Sequence, residues 1–280
     1  MWPHDRRYRA DVLDVGRGHL WRWGTRTFVM GIVNATEDSF SGDGVAHDID
    51  GAVALANSLV LAGVDIIDVG GASSRPGAEP TPIEVEIGRA IPVIEAIRGV
   101  VDLPISIDTT WAKVAEAAFD AGADVLNDIS GLLLDPDLAP LAADRAVPIV
   151  AMHNQRGREH TDVVADITRG CAETLQVATD AGIGTEHMIF DPGFGFGWSV
   201  EQNLEMLRRL PELFDLELPL LIGTSRKSSI GKVLGADVDR RRFGTAATIA
   251  QAICAGVDVV RVHDAGEMSD VVMMTDAIVR

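Results

Sequence analysis

The stretch that decides the fold runs from Pro104 to Asp128, PISIDTTWAKVAEAAFDAGADVLND. It opens on a short apolar run, PISID (Pro104 to Asp108), crosses an Ala-rich segment with helical periodicity, and closes on a second run, ADVLND (Ala123 to Asp128). Near-continuous apolar runs imply strands buried on both faces, as in a parallel sheet covered by helices. The same unit repeats in both directions. Upstream lie FVMGIVN (Phe28 to Asn34) and VDIIDVG (Val64 to Gly70). Downstream lie PIVAMH (Pro148 to His153), MIFDPG (Met188 to Gly193), PLLIGTS (Pro219 to Ser225) and VDVVRVHD (Val257 to Asp264). Two intervening helical stretches, Ile49 to Gly63 and Phe243 to Gly256, end in Ala-Gly, with glycine where a helix C-cap is wanted.

Eight such runs, seven intervening helical segments and a closing helix after Val262 predict an α/β fold, a (β/α)8 TIM barrel. An open doubly wound sheet is the competing architecture, but no Gly-rich dinucleotide fingerprint opens the first helix. Asp11 to Phe28, with Trp21 and Trp23 alternating around Arg22, reads as a β-hairpin plugging the barrel floor. No linker-like stretch divides the chain, so residues 1–280 read as one domain.

The composition narrows the function. With 47% hydrophobic residues the chain buries a core, which excludes disorder, and its Gly and Cys usage excludes collagen-like and disulfide-scaffold classes. A formal net charge of −18 gives no general attraction for nucleic acid or anionic lipid. An anionic substrate therefore needs a local cluster of Arg and Lys. Cys171 and Cys254 have no paired or metal-binding spacing and read as reduced core thiols. The charged start lacks the apolar region of a secretory signal, and no run reaches the ~20 apolar residues of a bilayer span, so the expected location is the cytoplasm.

Each apolar run stops on polar or Gly-flanked residues: Asn34, Asp68 with Gly70-Gly71, Asp108, Asn127-Asp128, His153, Asp191, Ser225-Arg226-Lys227, and Arg261 with His263. Side chains at the C-terminal ends of barrel strands converge on one mouth, where barrel enzymes place their sites. Asp128 and Asp135 read as caps or turn residues. Asp108, Asn127 and Asp191 suit a heterocycle bearing N–H and amino donors, and Lys227 suits a ring carbonyl. Arg261 and His263, at alternate positions on the last strand, suit phosphate or diphosphate, with backbone N–H groups of Ser225 to Ser228 at a helix start adding to the anion site. Arg240-Arg241-Arg242 reads as a solvated surface stretch.

Assembled in order, these segments resemble the dihydropteroate synthase family from about Phe28 to the C-terminus. The motifs that carry the resemblance are NATEDSFSGDG (Asn34 to Gly44), GGASSRPGAEP (Gly70 to Pro80), SIDTT (Ser106 to Thr110) and NDISG (Asn127 to Gly131). They continue through MHNQRG (Met152 to Gly157), DPGFGFG (Asp191 to Gly197), GTSRKSSIG (Gly223 to Gly231) and RVHD (Arg261 to Asp264). The resemblance implies condensation of a dihydropterin methyl pyrophosphate with p-aminobenzoate, giving dihydropteroate and pyrophosphate. It implies pterin binding by Asp108, Asn127, Asp191 and Lys227, and pyrophosphate binding by Asn34, Arg261 and His263, with Mg2+ at Asn34. Phe40, Ser74, Arg75 and Ser228 would shape the p-aminobenzoate pocket. Lys227, Arg261, His263 and Asp43 would carry the catalytic steps. A homodimer through helices on the barrel's far side is also implied.

The chain departs from the family pattern at the loops. Gly42 stands where the family has an acid, with Asp43 displaced by one residue; Ala72 replaces a glutamate, Ser74 a threonine, Glu37 a proline, and Asn154 a commonly apolar residue. Trp198 replaces the usual lysine after DPGFGFG and is expected as a bulky aromatic near the mouth. Loss of a loop carboxylate that acts as charge develops lowers the chemical step. Two readings follow: a synthase of reduced turnover, or a pterin-binding paralogue outside folate synthesis. A pterin-dependent methyltransferase ranks below both, because it has no use for a phosphate corner.

Overall fold

The computed structural model describes residues 6–35, 49–73 and 79–280. A short antiparallel hairpin, β1 (Val12–Asp14) and β2 (Leu20–Arg22), precedes eight strands that pair in parallel. These are β3 (Phe28–Asn34), β4 (Ile66–Gly70), β5 (Ile105–Asp108), β6 (Val125–Asp128), β7 (Ile149–Met152), β8 (Met188–Asp191), β9 (Leu221–Ile222) and β10 (Val259–Val262). The sheet order is β8-β7-β6-β5-β4-β3-β10-β9, and a parallel bridge between Phe190 and Leu220 joins its two ends. This is the expected barrel, and every strand falls inside one of the eight apolar runs.

Helices α1 (Ile49–Leu61), α2 (Ile83–Arg98), α3 (Ala112–Asp120), α4 (Leu138–Arg145), α5 (Val163–Asp180) and α6 (Val200–Arg209) follow β3 to β8 in turn. The interval between β9 and β10 holds two helices, α7 (Ser228–Leu234) and α8 (Arg242–Cys254), and α9 (Ala265–Val279) closes the chain. Gly63 and Gly256 follow α1 and α8 with φ of +76° and +100°, the backbone state that ends a helix and that L side chains resist.

The two-residue period of a strand sorts its side chains. Outward residues such as Val69, Ile107, Leu126, Phe190, Ile222 and Val260 pack against the helices in the main core. Inward residues Met30, Ile66, Val125, Val150, Ile189, Leu221 and Val259 form a second cluster with Leu13, Val15, Trp21, Trp23 and Phe28. Trp21 stacks on Phe28 with ring centroids 4.5 Å apart, and Trp23 meets the same ring edge-on at 5.7 Å. Arg22 between them is exposed. The hairpin is thus the plug its alternation predicts.

One expectation fails. Cys171 is buried, but Cys254 is exposed, because the barrel-facing side of α8 is carried by Thr245, Ile249, Ala252 and Ile253 and position 254 turns away from it.

Candidate active site

Two residues beyond the apolar floor, the same inward rows become polar. Ile66 gives way to Asp68, Val125 to Asn127, Ile189 to Asp191 and Val259 to Arg261, while β5 contributes Ser106 and then Asp108. Asp68 is fully buried and collects donors from three strands. The Ser106 hydroxyl donates to its Oδ1 at 2.6 Å, the Asn127 amide donates to both oxygens at 3.2 Å, and Arg261 Nε donates to Oδ2 at 2.6 Å. Arg261 Nη2 then reaches Asp108 Oδ2 at 2.6 Å, so one guanidinium spans two carboxylates on neighbouring strands. Burial opposes the charge on Arg261, but Asp68 and Asp108 outweigh it and its proton is held more tightly than usual.

Above this layer the groups face the mouth. Asp108, register partner of Asn127, is half-buried. Burial pushes its carboxyl up to about 7, Arg261 pulling it back and Asp68 adding to the rise. Asp191 accepts from the Gly193 N–H at 2.7 Å, yet burial still pushes its carboxyl up to about 6. Burial, with Arg261 nearby, brings the Lys227 ammonium down to about 8 despite the field of Asp191. That ammonium lies 4.0 Å from the centroid of the buried Phe196 ring, a cation–π contact the sequence reading did not anticipate. Gly195 makes room for it: with φ of +85°, a Cβ there would stand 3.0 Å from Lys227 Cδ.

His263 is half-buried, and its Nδ1 lies 3.0 Å from Ser225 Oγ, which also accepts the His263 backbone N–H at 3.2 Å. Burial beside the cations Arg261 and Arg226 takes the imidazole down to about 3, so it is neutral at pH 7. Asn34 closes β3 opposite Gly70, whose own neighbour in register is Asp108. Its carboxamide oxygen is a hard donor of the kind Mg2+ takes, and no group of three or more His, Cys, Asp or Glu among the described residues forms a metal cage. That donor set fits Mg2+ held by one protein oxygen together with phosphate oxygens and waters.

Phe40, Asp43, Ser74 and Arg75, like Glu37 and Gly42, lie outside the described residues. Ser228 is exposed at the first turn of α7. Arg226 does not join the anion corner: Nε donates to Asp264 at 3.0 Å and the pair forms a salt bridge. Nor is the Arg240 to Arg242 stretch merely solvated. Arg241 is half-buried and donates to the carbonyls of Arg226, at 2.9 Å, and Ala236, at 3.2 Å. It thereby clips the loop carrying Lys227, in which Arg226 holds a left-handed φ of +57°. Arg242 bridges to Glu267 at 2.9 Å.

Trp198 is buried beside His153, the residue that ends the β7 run. It packs into the main core, only 8% exposed, against His153 and His160 at centroid distances of 5.7 and 5.8 Å. Asn154 ties loops together, donating to the Ile129 carbonyl and accepting from the Arg156 N–H, both at 3.2 Å. Asp128 and Asp135 are the turn and cap residues expected. Asp128 accepts from Ser130 and Leu132, and Asp135 from the N–H groups of Ala112 and Asp137.

The mouth of this parallel barrel thus sets carboxyl and amide acceptors beside Lys and Arg, a layout suited to a ring bearing donors and to an anionic group. Residues 30–263 match the family model described as pterin binding enzyme. The dihydropteroate synthase of Synechocystis sp. is 44% identical over 281 residues, covering 98% of this chain and 97% of that protein. The solved dihydropteroate synthase of Clostridium difficile, obtained in the presence of pteroic acid, superposes with a TM-score of 0.90 at 44% identity, over 93% of this chain and 99% of that one. That of Xanthomonas albilineans with 4-aminobenzoic acid also gives 0.90, at 39% identity, over 96% and 98%. The chain belongs to the dihydropteroate synthase family.

Proposed function

We propose that this chain is a working dihydropteroate synthase, folded as one domain over residues 1–280, that condenses dihydropterin methyl pyrophosphate with p-aminobenzoate. The observation that carries the reading is the convergence of Asp108, Asn127, Asp191, Lys227, Arg261 and His263 on one barrel mouth from the ends of five strands. The Clostridium difficile and Xanthomonas albilineans relatives, solved with pteroic acid and with 4-aminobenzoic acid, support the two substrates.

The chemistry follows from the charge layout. Asp108, Asn127 and Asp191 accept from the ring's amino and N–H groups, while Lys227 donates to its carbonyl. Arg261 Nη1, whose hydrogens no described residue claims, and the neutral His263 take the pyrophosphate. As the methylene carbon–oxygen bond breaks, its electron pair leaves with pyrophosphate and positive charge spreads into the pterin, facing Asp108 and Asp191. The amine of p-aminobenzoate, lodged among Phe40, Ser74, Arg75 and Ser228, attacks that carbon and loses its proton, and orientation supplies much of the rate. Mg2+ at Asn34 would neutralise the leaving group's charge, while the Asp43 carboxylate would serve the positive charge that develops on the pterin.

The same proposal includes a homodimer and a cytoplasmic site of action. Exposed Phe243 on α8 and Met273, Met274 and Ile278 on α9 supply an apolar surface for a second copy. No helix among the described residues is long and apolar enough to cross a membrane, and the net charge of −18 disfavours nucleic acid. Pyrophosphate release with both substrates tests the enzyme reading: steady turnover that stops when p-aminobenzoate is withheld is expected, and tight pterin binding with no release would overturn it.

A further inference from the structure

We propose that Asp68 is a positioning residue for this reaction: from one layer beneath the mouth it holds Arg261 and Asn127 in the poses that receive the substrate. The inference rests on the reading of Arg261 and Asn127 as substrate-binding groups, and extends it to a residue that the substrate does not reach.

Asp68 lies deeper than the groups that face the mouth. A carboxylate wholly buried in a barrel is costly unless charge and hydrogen bonds compensate it, and well-packed apolar residues commonly replace buried ion pairs with no loss of stability. The floor of this barrel is built in that cheaper way, from Ile66, Val125, Ile189 and Val259. One layer higher the strands carry Asp68 instead, with donors from Ser106, Asn127 and Arg261 on its two oxygens. Packing alone does not call for an ionic layer there.

The contacts of Asp68 also decide which donors stay free for substrate. A guanidinium has five N–H donors and a fixed planar fork. With Nε on Asp68 and Nη2 on Asp108, the plane of Arg261 is fixed and Nη1 is left for an incoming anion. A carboxamide can otherwise turn over and exchange its donor for its acceptor. By taking one N–H of Asn127 on both oxygens, Asp68 fixes which end of the amide points down, leaving Oδ1 and one N–H for the ring. One carboxylate thus orients a pyrophosphate group and a pterin group together.

The charge of Asp68 acts on Asp108 as well. Asp108 is faced by Arg261 from β10, Asp68 from β4, Asp128 from β6 and Glu86 from α2. Because Asp68 shares Arg261, it reduces the hold of that cation on Asp108. Removing the Asp68 charge leaves Arg261 to Asp108, its hydrogen-bonded partner, with only the more distant field of Asp191 competing, and the acid limb of pterin binding moves to lower pH.

The test compares the intact chain with Asp68→Asn and Ser106→Ala. In Asp68→Asn, kcat/KM for the pterin pyrophosphate is expected to fall about 100-fold, the scale of a lost charge-assisted contact network, with the KM for p-aminobenzoate within about twofold of its starting value. The acid limb of pterin binding should shift downward in the same variant. Ser106→Ala, which loosens Asp68 without altering charge, should raise the KM for the pterin substrate about fivefold and leave the limb in place. An Asp68→Asn protein of ordinary pterin affinity and unmoved acid limb would overturn the proposal. So would unchanged kinetics in Ser106→Ala should Asp68→Asn fail to fold. Failure of the unaltered chain to bind pterin at all would instead strike the enzyme reading on which the inference rests.

Discussion

The floor and the mouth of this barrel are built from the same strands, two residues apart, and differ in almost every physical respect. At the floor, inward side chains are apolar and meet the rings of Trp21, Trp23 and Phe28. At the mouth the groups are carboxyls, an amide and cations, and three of them titrate closer to neutrality than usual: Asp108 at about 7, Asp191 at about 6 and Lys227 at about 8. The comparison teaches that the period of two fixes which residues enter the lumen, while depth along the strand decides whether they hold the barrel together or do its chemistry. Perturbed ionisations cluster where function is carried.

Damage to the floor gives the largest expected effect. Trp21→Ala removes a ring stacked on Phe28 and destabilises the fold by about 3–5 kcal/mol in urea melts, while the protein that remains folded keeps its pterin affinity. A matching loss of affinity would mean that floor and mouth are not separable. Asp108→Ala is the reciprocal case. It leaves ring donors unpaired and weakens pterin binding by about 2–4 kcal/mol. Equal affinity in that variant would remove Asp108 from the site.

A smaller effect separates the regions by pH. Burial raises the Asp108 carboxyl from 3.8 to about 7, so its favourable contribution is complete below the ordinary value and is lost as pH rises through 7. His263 runs the other way: depressed from 6.5 to about 3, it favours the folded state above its ordinary value and loses that contribution as pH falls toward 3. The stability of Asp108→Asn relative to the unaltered chain should therefore grow between pH 4 and 7, on the order of 2 kcal/mol. A pH-independent difference would mean that this carboxyl is not raised.

The smallest effect returns to the bottom of the molecule. Tyr8 donates to the buried Asp258 at 2.8 Å, and that carboxylate is also held by Arg6, at 2.7 Å, and by the Leu220 N–H, at 2.8 Å. Tyr8→Phe should cost about 1 kcal/mol in thermal or urea denaturation and leave turnover unchanged. A fall in turnover would show the plug coupled to the mouth.

Much of this contrast is legible in the sequence because it is local. Apolar runs ending in Asp, Asn, Lys, Arg or His give both the strands and the converging groups, and Trp21-Arg22-Trp23 gives the hairpin by its alternation. Asp68 stands in the sequence two residues after Ile66, but its role depends on a cation 193 positions away and on an amide 59 positions away. The directions of Trp198 and Arg241 were not legible. Each is decided by a loop from elsewhere: His153 and His160 enclose Trp198, and the Arg226 and Ala236 carbonyls capture Arg241. Cys254 shows the limit of reading burial from an Ala-rich segment, where a helix has few large side chains to mark its inner face.

Calorimetric titration of dihydropterin methyl pyrophosphate into the folded, unaltered chain and into Asp108→Ala tests the central claim most directly. The account predicts saturable heat with a dissociation constant in the micromolar range or tighter for the former and none at the same concentrations for the latter. Absence of heat from the unaltered chain, or the same binding curve from both proteins, would contradict it.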